Sequence, residues 1–155
     1  VPVIAAMQGH AIGGGLSLGL FADSAVLAAE GVYGATFMKY GFTPGFGSTL
    51  VFPARLGQVL GNEMLLSAKT YRGVELGRRG VPYPVVTRSD VVDEALQLAR
   101  VYAERPRHSL IILKDALVAD LRARLASQIE IELVMHERTI HRPEVAERLA
   151  TLYDG

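Results

Sequence analysis

With 155 residues, half of them apolar, the chain can bury one hydrophobic core and is too hydrophobic to be disordered. Lysine and arginine balance aspartate and glutamate at 16 each, which argues against nucleic acid or an anionic membrane as the main partner. The sequence has no cysteine, which excludes disulfides, thiolate nucleophiles and cysteine-ligated metals and is consistent with a cytoplasmic location.

The front of the chain is its apolar part. Residues 1–52 contain only three charged side chains, and the first 22 residues contain none. Gln8, His10 and several glycines interrupt that uncharged stretch, so we do not expect a transmembrane helix there. No basic region precedes it, so it does not resemble a signal peptide. Because Val1 already lies in an apolar run, we expect preceding sequence to complete the domain.

The predicted elements of the front alternate between strands and a helix. Short apolar runs predict strands over residues 3–7, 24–29 and 32–33, and a helix over residues 14–22 lies between the first two strands. A strand, a helix and a strand in this order predict a parallel pair joined by a crossover.

The rest of the chain is predicted to be helical, apart from an extended segment over residues 82–86. Asp90 is expected to cap the helix that follows it. Leucine or isoleucine recurs every four residues from Leu117 to Leu133, which predicts one apolar ridge. The predicted helices cover residues 45–52 or 45–54, 57–68, 74–79, 91–104, 109–138 and 143–153.

Three consecutive glycines, Gly13 to Gly15, separate the first strand from the first helix. Glycine lets the backbone approach another group closely, and the first N–H groups of a helix have no partner inside it. The turn therefore suits tight packing, phosphate binding or stabilisation of an oxyanion, and the glycines alone do not choose between these. The spacing is neither G-x-G-x-x-G nor G-x-x-x-x-G-K-[ST].

His136 is the first candidate for proton chemistry. It continues the apolar ridge, so we expect it to be at least partly buried, as a hydrogen-bonded core histidine or as a proton donor or acceptor. Glu132, one turn earlier, is expected to hold its ring. His141 is predicted to lie in a solvated turn, and His10 to brace the glycine loop. No histidine pair has metal-ligand spacing, so we expect no metal.

Two segments of the chain resemble a known family. Residues 2–23, PVIAAMQGHAIGGGLSLGLFAD, and 40–47, YGFTPGFG, are similar in order and spacing to two signatures of the crotonase (enoyl-CoA hydratase/isomerase) superfamily. The resemblance implies an α/β fold, a crotonase-like ββα spiral core with a C-terminal helical extension. It also implies one domain over residues 1–155 that lacks its N-terminal third, with the core over 1–88 and a helical trimerisation region over 89–155.

The resemblance implies a role for the glycine turn. In the family, the N–H that corresponds to Gly14 is one of two oxyanion donors to a thioester carbonyl. Hydratases of the family activate water with two glutamates, which fall at Ser17 and Phe37 in this sequence. Since neither residue is a carboxylate, we do not expect standard hydration.

Residues 37–47, 79–84 and 135–145 are similar to a narrower group, the decarboxylating crotonase homologues of polyketide β-branching. Those enzymes act on a 3-methylglutaconyl group carried by an acyl carrier protein and release CO₂. The resemblance therefore implies decarboxylation to a 3-methylcrotonyl thioester, without a cofactor. The alternatives are an enoyl-CoA hydratase or isomerase with atypical acids, and an inactive acyl-binding or scaffold domain.

The narrower resemblance also implies catalytic residues. A histidine near the C-terminus and an upstream lysine serve catalysis in that group. The histidine corresponds to His136, with His141 as the alternative, and we expect the lysine and the first oxyanion donor ahead of Val1. We expect four side chains to line the substrate pocket: His10, Ser17, Phe37 and Tyr40.

The implied partners are a thioester on an acyl carrier protein, or on CoA, and further copies of the chain in a homotrimer. Nucleic acid and membrane partners are not expected, and the expected location is cytoplasmic.

Overall fold

Six strands form two three-stranded sheets in the computed structural model, which describes residues 1–153. The strands are β1 (Ile4–Met7), β2 (Ala11–Ile12), β3 (Ser24–Ala28), β4 (Val32–Gly34), β5 (Thr70–Arg72) and β6 (Val85–Val86). One sheet has the strand order β1-β3-β6, and the other has the order β2-β4-β5. The last two residues of the predicted domain, 154 and 155, lie outside the described part.

The first four strands alternate between the two sheets. The chain places β1 in one sheet and β2 in the other, and it repeats this with β3 and β4. β1 and β3 are parallel, with Ile4 opposite Ser24, and β2 and β4 are parallel, with Ala11 opposite Tyr33. With α1 (Gly14–Leu20) between the two strand pairs, this is the predicted ββα spiral. β2 and β5 are not predicted from the sequence, because two or three residues show no periodicity.

The helical prediction is confirmed for most of the chain, with ends that differ by one or two residues. The helices after α1 are α2 (Ser48–Leu56), α3 (Gln58–Ser67), α4 (Gly73–Arg78), α5 (Val91–Ala103), α6 (Arg107–Leu117), α7 (Ala119–Ile140) and α8 (Pro143–Tyr153). A short 3-10 helix, Thr36–Lys39, was not predicted. Within residues 1–153, no helix is both long enough and apolar enough to span a membrane.

The predicted start of α2 at residue 45 is wrong. Phe46 and Gly47 have φ angles of 65° and 68°, in the left-handed region that residues of an α-helix do not adopt. The helix begins directly after them and continues through Pro53 to Leu56.

The single long helix predicted over residues 109–138 is also wrong. Val118, with φ −99° and ψ 2°, separates α6 from α7, although neither glycine nor proline marks this point in the sequence. Leu117 therefore lies on α6 and is 75% exposed, and Leu133 on α7 is 61% exposed. The predicted single ridge is therefore divided between two helices: its two ends are exposed, and Leu121 and Leu125 between them are half-buried.

Asp90 occupies the predicted N-cap position of α5 but makes no capping hydrogen bond. Its carboxylate instead accepts hydrogen bonds from the hydroxyls of Thr87 at 2.7 Å and Ser89 at 3.0 Å. These bonds, that of Thr87 first, lower the pKa of Asp90. The predicted position is right and the predicted interaction is wrong, because the hydroxyls compete for the carboxylate.

The buried apolar side chains concentrate in the front of the chain. Among the described residues, all the buried apolar ones except Val91, Ala95 and Val145 belong to residues 1–88. The main cluster joins the strands to α1, α2, α3 and α4. The glycine turn is therefore built on the best-packed part of the molecule.

Candidate active site

The glycine turn joins β2 to α1 and presents its backbone on an open face. Gly13 has φ 55° and ψ −123°, and its N–H donates to the Gly34 carbonyl at 2.8 Å. Gly14 begins α1, ahead of the hydrogen bond from Ser17 N–H to the Gly13 carbonyl. A Cβ placed on Gly14 or Gly15 would meet no described atom outside its own helix within 4 Å. The space beside the first residues of α1 is therefore open.

Phe37 lies against the turn. Its Cζ and Cε1 atoms would be 3.6 and 3.7 Å from a Cβ on Gly13. The ring meets Phe42 edge-on with centroids 6.3 Å apart, and Phe42 meets the His136 imidazole edge-on at 5.4 Å. Tyr40 stacks on Phe42 at 6.0 Å. This aromatic cluster, Phe37, Tyr40, Phe42 and His136, connects the glycine turn with α7.

His136 is half-buried, as predicted, and its ring has a defined orientation. Nδ1 lies 3.2 Å from the Thr43 carbonyl oxygen. Since a carbonyl only accepts, Nδ1 carries the hydrogen, and Nε2 is the nitrogen that takes up or releases a proton. The ring borders a cavity of about 230 Å³. The cavity is lined by Gly45, Phe46, Ile129, Glu132, Leu133 and His136.

The prediction that Glu132 holds the His136 ring is wrong. The carboxylate of Glu132 is buried and accepts hydrogen bonds from Gly47 N–H at 2.6 Å and Thr49 N–H at 2.8 Å. Glutamate at this position reaches across to the start of α2 rather than along its own helix. The ring of His136 is held by the Thr43 carbonyl instead.

Ser17 lies inside the fold rather than on the open face of the turn. It is fully buried, and its hydroxyl donates to the Gly13 carbonyl at 3.1 Å or shares a hydrogen bond with the Ser48 hydroxyl at 2.7 Å. Ser17 therefore couples the glycine turn to the start of α2. Its predicted contact with substrate stays a prediction.

The two other histidines named as candidates, His10 and His141, are separate from the aromatic cluster in their described contacts. His141 is exposed at the end of α7, where Nε2 lies 3.1 Å from a Glu137 carboxylate oxygen, as expected for a solvated residue. His10 Nδ1 accepts a hydrogen bond from Val32 N–H at 3.0 Å, which is the predicted bracing of the loop. Neither contact prepares a ring for proton transfer at the turn.

Phe42 and Thr43 contribute to the site but are not singled out by the sequence. Phe42 lies between Phe37 and His136, and the Thr43 carbonyl orients the imidazole. The available signal is the clustering of Phe37, Tyr40 and Phe42 within six positions. The carbonyl of Thr43 gives no signal at all, because every residue has one.

A larger cavity, of about 560 Å³, lies elsewhere in the described residues, between β1 and α5. Its lining is mostly apolar, and includes Ile4, Leu96 and Tyr102, but none of the predicted site residues. Because none of the predicted site residues lines this cavity, we place the candidate site at the glycine turn and the aromatic cluster.

Comparison with known proteins gives consistent results. The sequence profile of the enoyl-CoA hydratase/isomerase family matches residues 1–152. The bacillaene synthase decarboxylase PksI of Bacillus subtilis strain 168 is 56% identical over 153 residues, which cover 99% of this chain and 61% of PksI. A structure solved for a dehydratase/decarboxylase enzyme couple involved in polyketide β-branching superposes with a TM-score of 0.96 at 56% identity, over 99% of this chain and 63% of that chain.

The ECH2 decarboxylase domain of CurF from Lyngbya majuscula superposes with a TM-score of 0.95 at 48% identity, over 97% of this chain and 62% of that chain. The chain thus spans about three fifths of the length of these relatives. The profile match covers nearly every residue, and the relatives share both the sequence and the spiral of strands. The chain belongs to the enoyl-CoA hydratase/isomerase family, the crotonase superfamily.

Proposed function

We propose that the protein decarboxylates a 3-methylglutaconyl thioester carried by an acyl carrier protein, to a 3-methylcrotonyl thioester, in polyketide β-branch formation. One observation carries the proposal: Phe37, at a position where a hydratase of the family holds a glutamate, lies against the glycine turn, and Phe42 connects its ring with the oriented imidazole of His136. The similarity to PksI and to the CurF domain supports the same reaction.

The first step breaks the bond between the terminal carboxylate and its carbon. The electron pair of that bond passes through the conjugated double bond onto the thioester oxygen, CO₂ leaves, and a dienolate remains. The N–H of Gly14 donates to that oxygen as its charge develops. A fixed backbone donor in this place is worth about 10²–10³-fold in rate.

The second step returns a proton to carbon. His136 enters this step as imidazolium and releases the proton from Nε2, since Nδ1–H donates to Thr43. The carbon that lost CO₂ takes the proton, the double bond returns to its place beside the thioester, the carbonyl re-forms, and the neutral imidazole recovers a proton from the solvent. One CO₂ is lost and one proton is consumed in each cycle.

Phe37 affects the choice between decarboxylation and hydration. A phenyl ring against the turn cannot activate water, and it lowers the polarity around the substrate carboxylate. Both effects favour loss of neutral CO₂ over addition of water to the double bond.

The test is mass spectrometry of the acyl group after incubation with 3-methylglutaconyl carrier protein. We expect loss of CO₂ with the wild type and a decrease in kcat of about 10²–10⁴-fold for His136→Ala, since a general acid contributes that much. His141→Ala tests whether His141 is the catalytic histidine instead of His136. His108→Ala, a change at another exposed histidine, is the matched control. No CO₂ loss by the wild type, or full turnover by His136→Ala, would overturn the proposal. Ordinary hydration of crotonyl-CoA would favour a hydratase instead.

We also propose that the protein assembles as a cytoplasmic homotrimer through its C-terminal helices. Support comes from exposed apolar side chains on α6 and α7, among them Ile112, Leu113 and Val134. Sedimentation velocity tests the assembly: a trimer mass is expected, and a monomer at micromolar concentration would contradict it.

A further inference from the structure

One face of α7 is polar and contacts a single segment of the front. Gln128, Glu132, His136 and Thr139 are spaced by four, four and three residues, so their side chains lie along one side of the helix. Each of them hydrogen-bonds within residues 43–49. We call these four residues the polar stripe.

Glu132 is the centre of the polar stripe. Its side chain is 1% exposed, and one carboxylate oxygen accepts from Gly47 N–H while the other accepts from the N–H and the hydroxyl of Thr49. All three groups are donors, so the carboxylate form matches them without a proton of its own. The carboxylate also lies at the N-terminus of α2, where a negative charge is favourable. Charge-assisted bonds of this kind are among the strong ones in proteins.

The segment that Glu132 binds is strained. Phe46 and Gly47 are both left-handed, which is unfavourable for phenylalanine because its Cβ crowds the next carbonyl. Such a conformation persists only where its surroundings over-determine it. The bond from Gly47 N–H to Glu132 is the described hydrogen bond that holds this turn to α7.

The same segment holds the imidazole. The Thr43 carbonyl lies four residues before Gly47 and accepts from His136 Nδ1. On α7, His136 lies one helical turn after Glu132. Together with the Gln128 bond to Thr49 and the bond from Thr43 N–H to the Thr139 hydroxyl, these contacts fix α7 to both ends of residues 43–49.

We infer that Glu132 is a positioning residue for His136. By clamping the left-handed turn and the start of α2 to α7, it keeps the Thr43 carbonyl opposite Nδ1 and so keeps Nε2 as the nitrogen that exchanges protons. The effect on catalysis rests on the proposed function, whereas the effect on the ring does not.

Glu132→Gln is the sharpest variant, because glutamine has nearly the same shape. The amide nitrogen of glutamine cannot accept a hydrogen bond. At least one backbone N–H, that of Gly47 or that of Thr49, therefore loses its acceptor, and the side chain no longer holds both to α7. We expect kcat to fall about 10- to 100-fold, with KM within about 3-fold of the wild type, because the acid is misplaced rather than removed. Glu130→Gln, the same change at an exposed position on α7, is the matched control and leaves both values unchanged.

The direct readout is the neutral tautomer of His136, followed by nitrogen-15 NMR of the imidazole in the protein with labelled histidine. The wild type is expected to show Nδ1–H, and Glu132→Gln a mixture of Nδ1–H and Nε2–H. Glu130→Gln is expected to match the wild type. The measurement needs no substrate, so a failure of the proposed decarboxylation leaves it intact.

Two outcomes would overturn the inference. One is a Glu132→Gln protein with the wild-type tautomer and kcat; the other is a protein that is less stable but keeps the wild-type tautomer. If Glu132→Gln does not fold, Thr49→Val takes its place, since it removes the hydroxyl bonds to Glu132 and Gln128 and leaves the backbone bonds. Thr49→Val is expected to shift the tautomer part of the way, and an unshifted tautomer in that protein would count against the inference.

Discussion

The front of the molecule, residues 1–88, and the helical part that follows are held together by different forces. In the front, apolar side chains pack between the two sheets and α1 to α4. Among the described residues of the helical part, Val91, Ala95 and Val145 are the buried apolar ones. The longest helix, α7, meets the front mainly through hydrogen bonds to residues 43–49, together with the ring contact of His136 with Phe42 and the side chain of Leu125 beside Gly47.

The two regions therefore contribute differently to the candidate site. Apolar burial stabilises without direction, so it builds a scaffold that tolerates small shifts. Hydrogen bonds have preferred distances and angles, so the polar stripe fixes α7 in one register. The front therefore supplies the backbone donors of the glycine turn, and α7 supplies the oriented histidine.

The largest expected effect on stability comes from close backbone packing in the front. A Cβ on Gly73 would lie 2.0 Å from the Ala28 carbonyl oxygen, so Gly73→Ala forces β3 and α4 apart. We expect a loss of about 2–3 kcal/mol in the free energy of unfolding, measured with urea. Gly15→Ala is the matched control: its Cβ meets open space in α1, and alanine there is expected to stabilise by about 0.5–1 kcal/mol. Equal effects of the two changes would contradict this account of the front.

The next prediction separates packing from positioning with one chemical change in two places. Phe52 is fully buried in the front, so Phe52→Leu is expected to cost about 1–2 kcal/mol of stability and leave kcat unchanged. Phe42 lies between Phe37 and His136, so Phe42→Leu is expected to cost about 1 kcal/mol and to lower kcat about 10-fold. Urea unfolding and steady-state turnover measure both quantities. An equal loss of kcat in the two variants would mean that Phe42 affects turnover no more than a buried phenylalanine of the core does.

The two regions also differ in how far the sequence predicts them. The glycine turn is predictable because its signal is local: three glycines follow an apolar run and precede a helix within a few residues. The parallel pairing of β1 and β3 follows from the same short stretch. The resemblance to the family adds the role of Gly14, which no single-sequence pattern contains.

The contacts of α7 are not predictable in this way. Glu132 and Gly47 are 85 positions apart, and a glutamate in the middle of a long helix usually faces solvent. The regular leucines suggest one continuous ridge, yet Leu133 is exposed and the hydrogen bonds to the front come from the neighbouring polar stripe. The break at Val118 has no glycine or proline to mark it, so it too depends on tertiary packing.

The smallest expected effect concerns an ion pair between the two regions, separate from the polar stripe. Lys114 on α6 donates to Asp23 at 2.7 Å, and Val3 N–H donates to the same carboxylate at 2.6 Å. The side chains of Asp23 and Lys114 are 19% and 23% exposed. Burial alone raises the pKa of Asp23, but the Lys114 and Val3 hydrogen bonds outweigh it, so the pKa is lowered.

The pKa of Asp23 is lower in the folded protein than in the unfolded chain. The contacts of its carboxylate with Lys114 and Val3 therefore stabilise the fold at pH values above about 4, and this stabilisation is lost as the pH falls through the folded-state pKa. Asp23→Asn is therefore expected to lower stability by about 1 kcal/mol at pH 7, and the difference from the wild type should shrink towards pH 3. Urea unfolding of both proteins at each pH measures that difference, in which other titrating groups cancel. Asp120→Asn is the control, because the Asp120 side chain is 84% exposed and forms an ion pair with Arg124 on the surface of α7. We expect a much smaller effect of this change than of Asp23→Asn at either pH. A pH-independent cost of Asp23→Asn would mean that the front and α6 are joined here by shape rather than by charge.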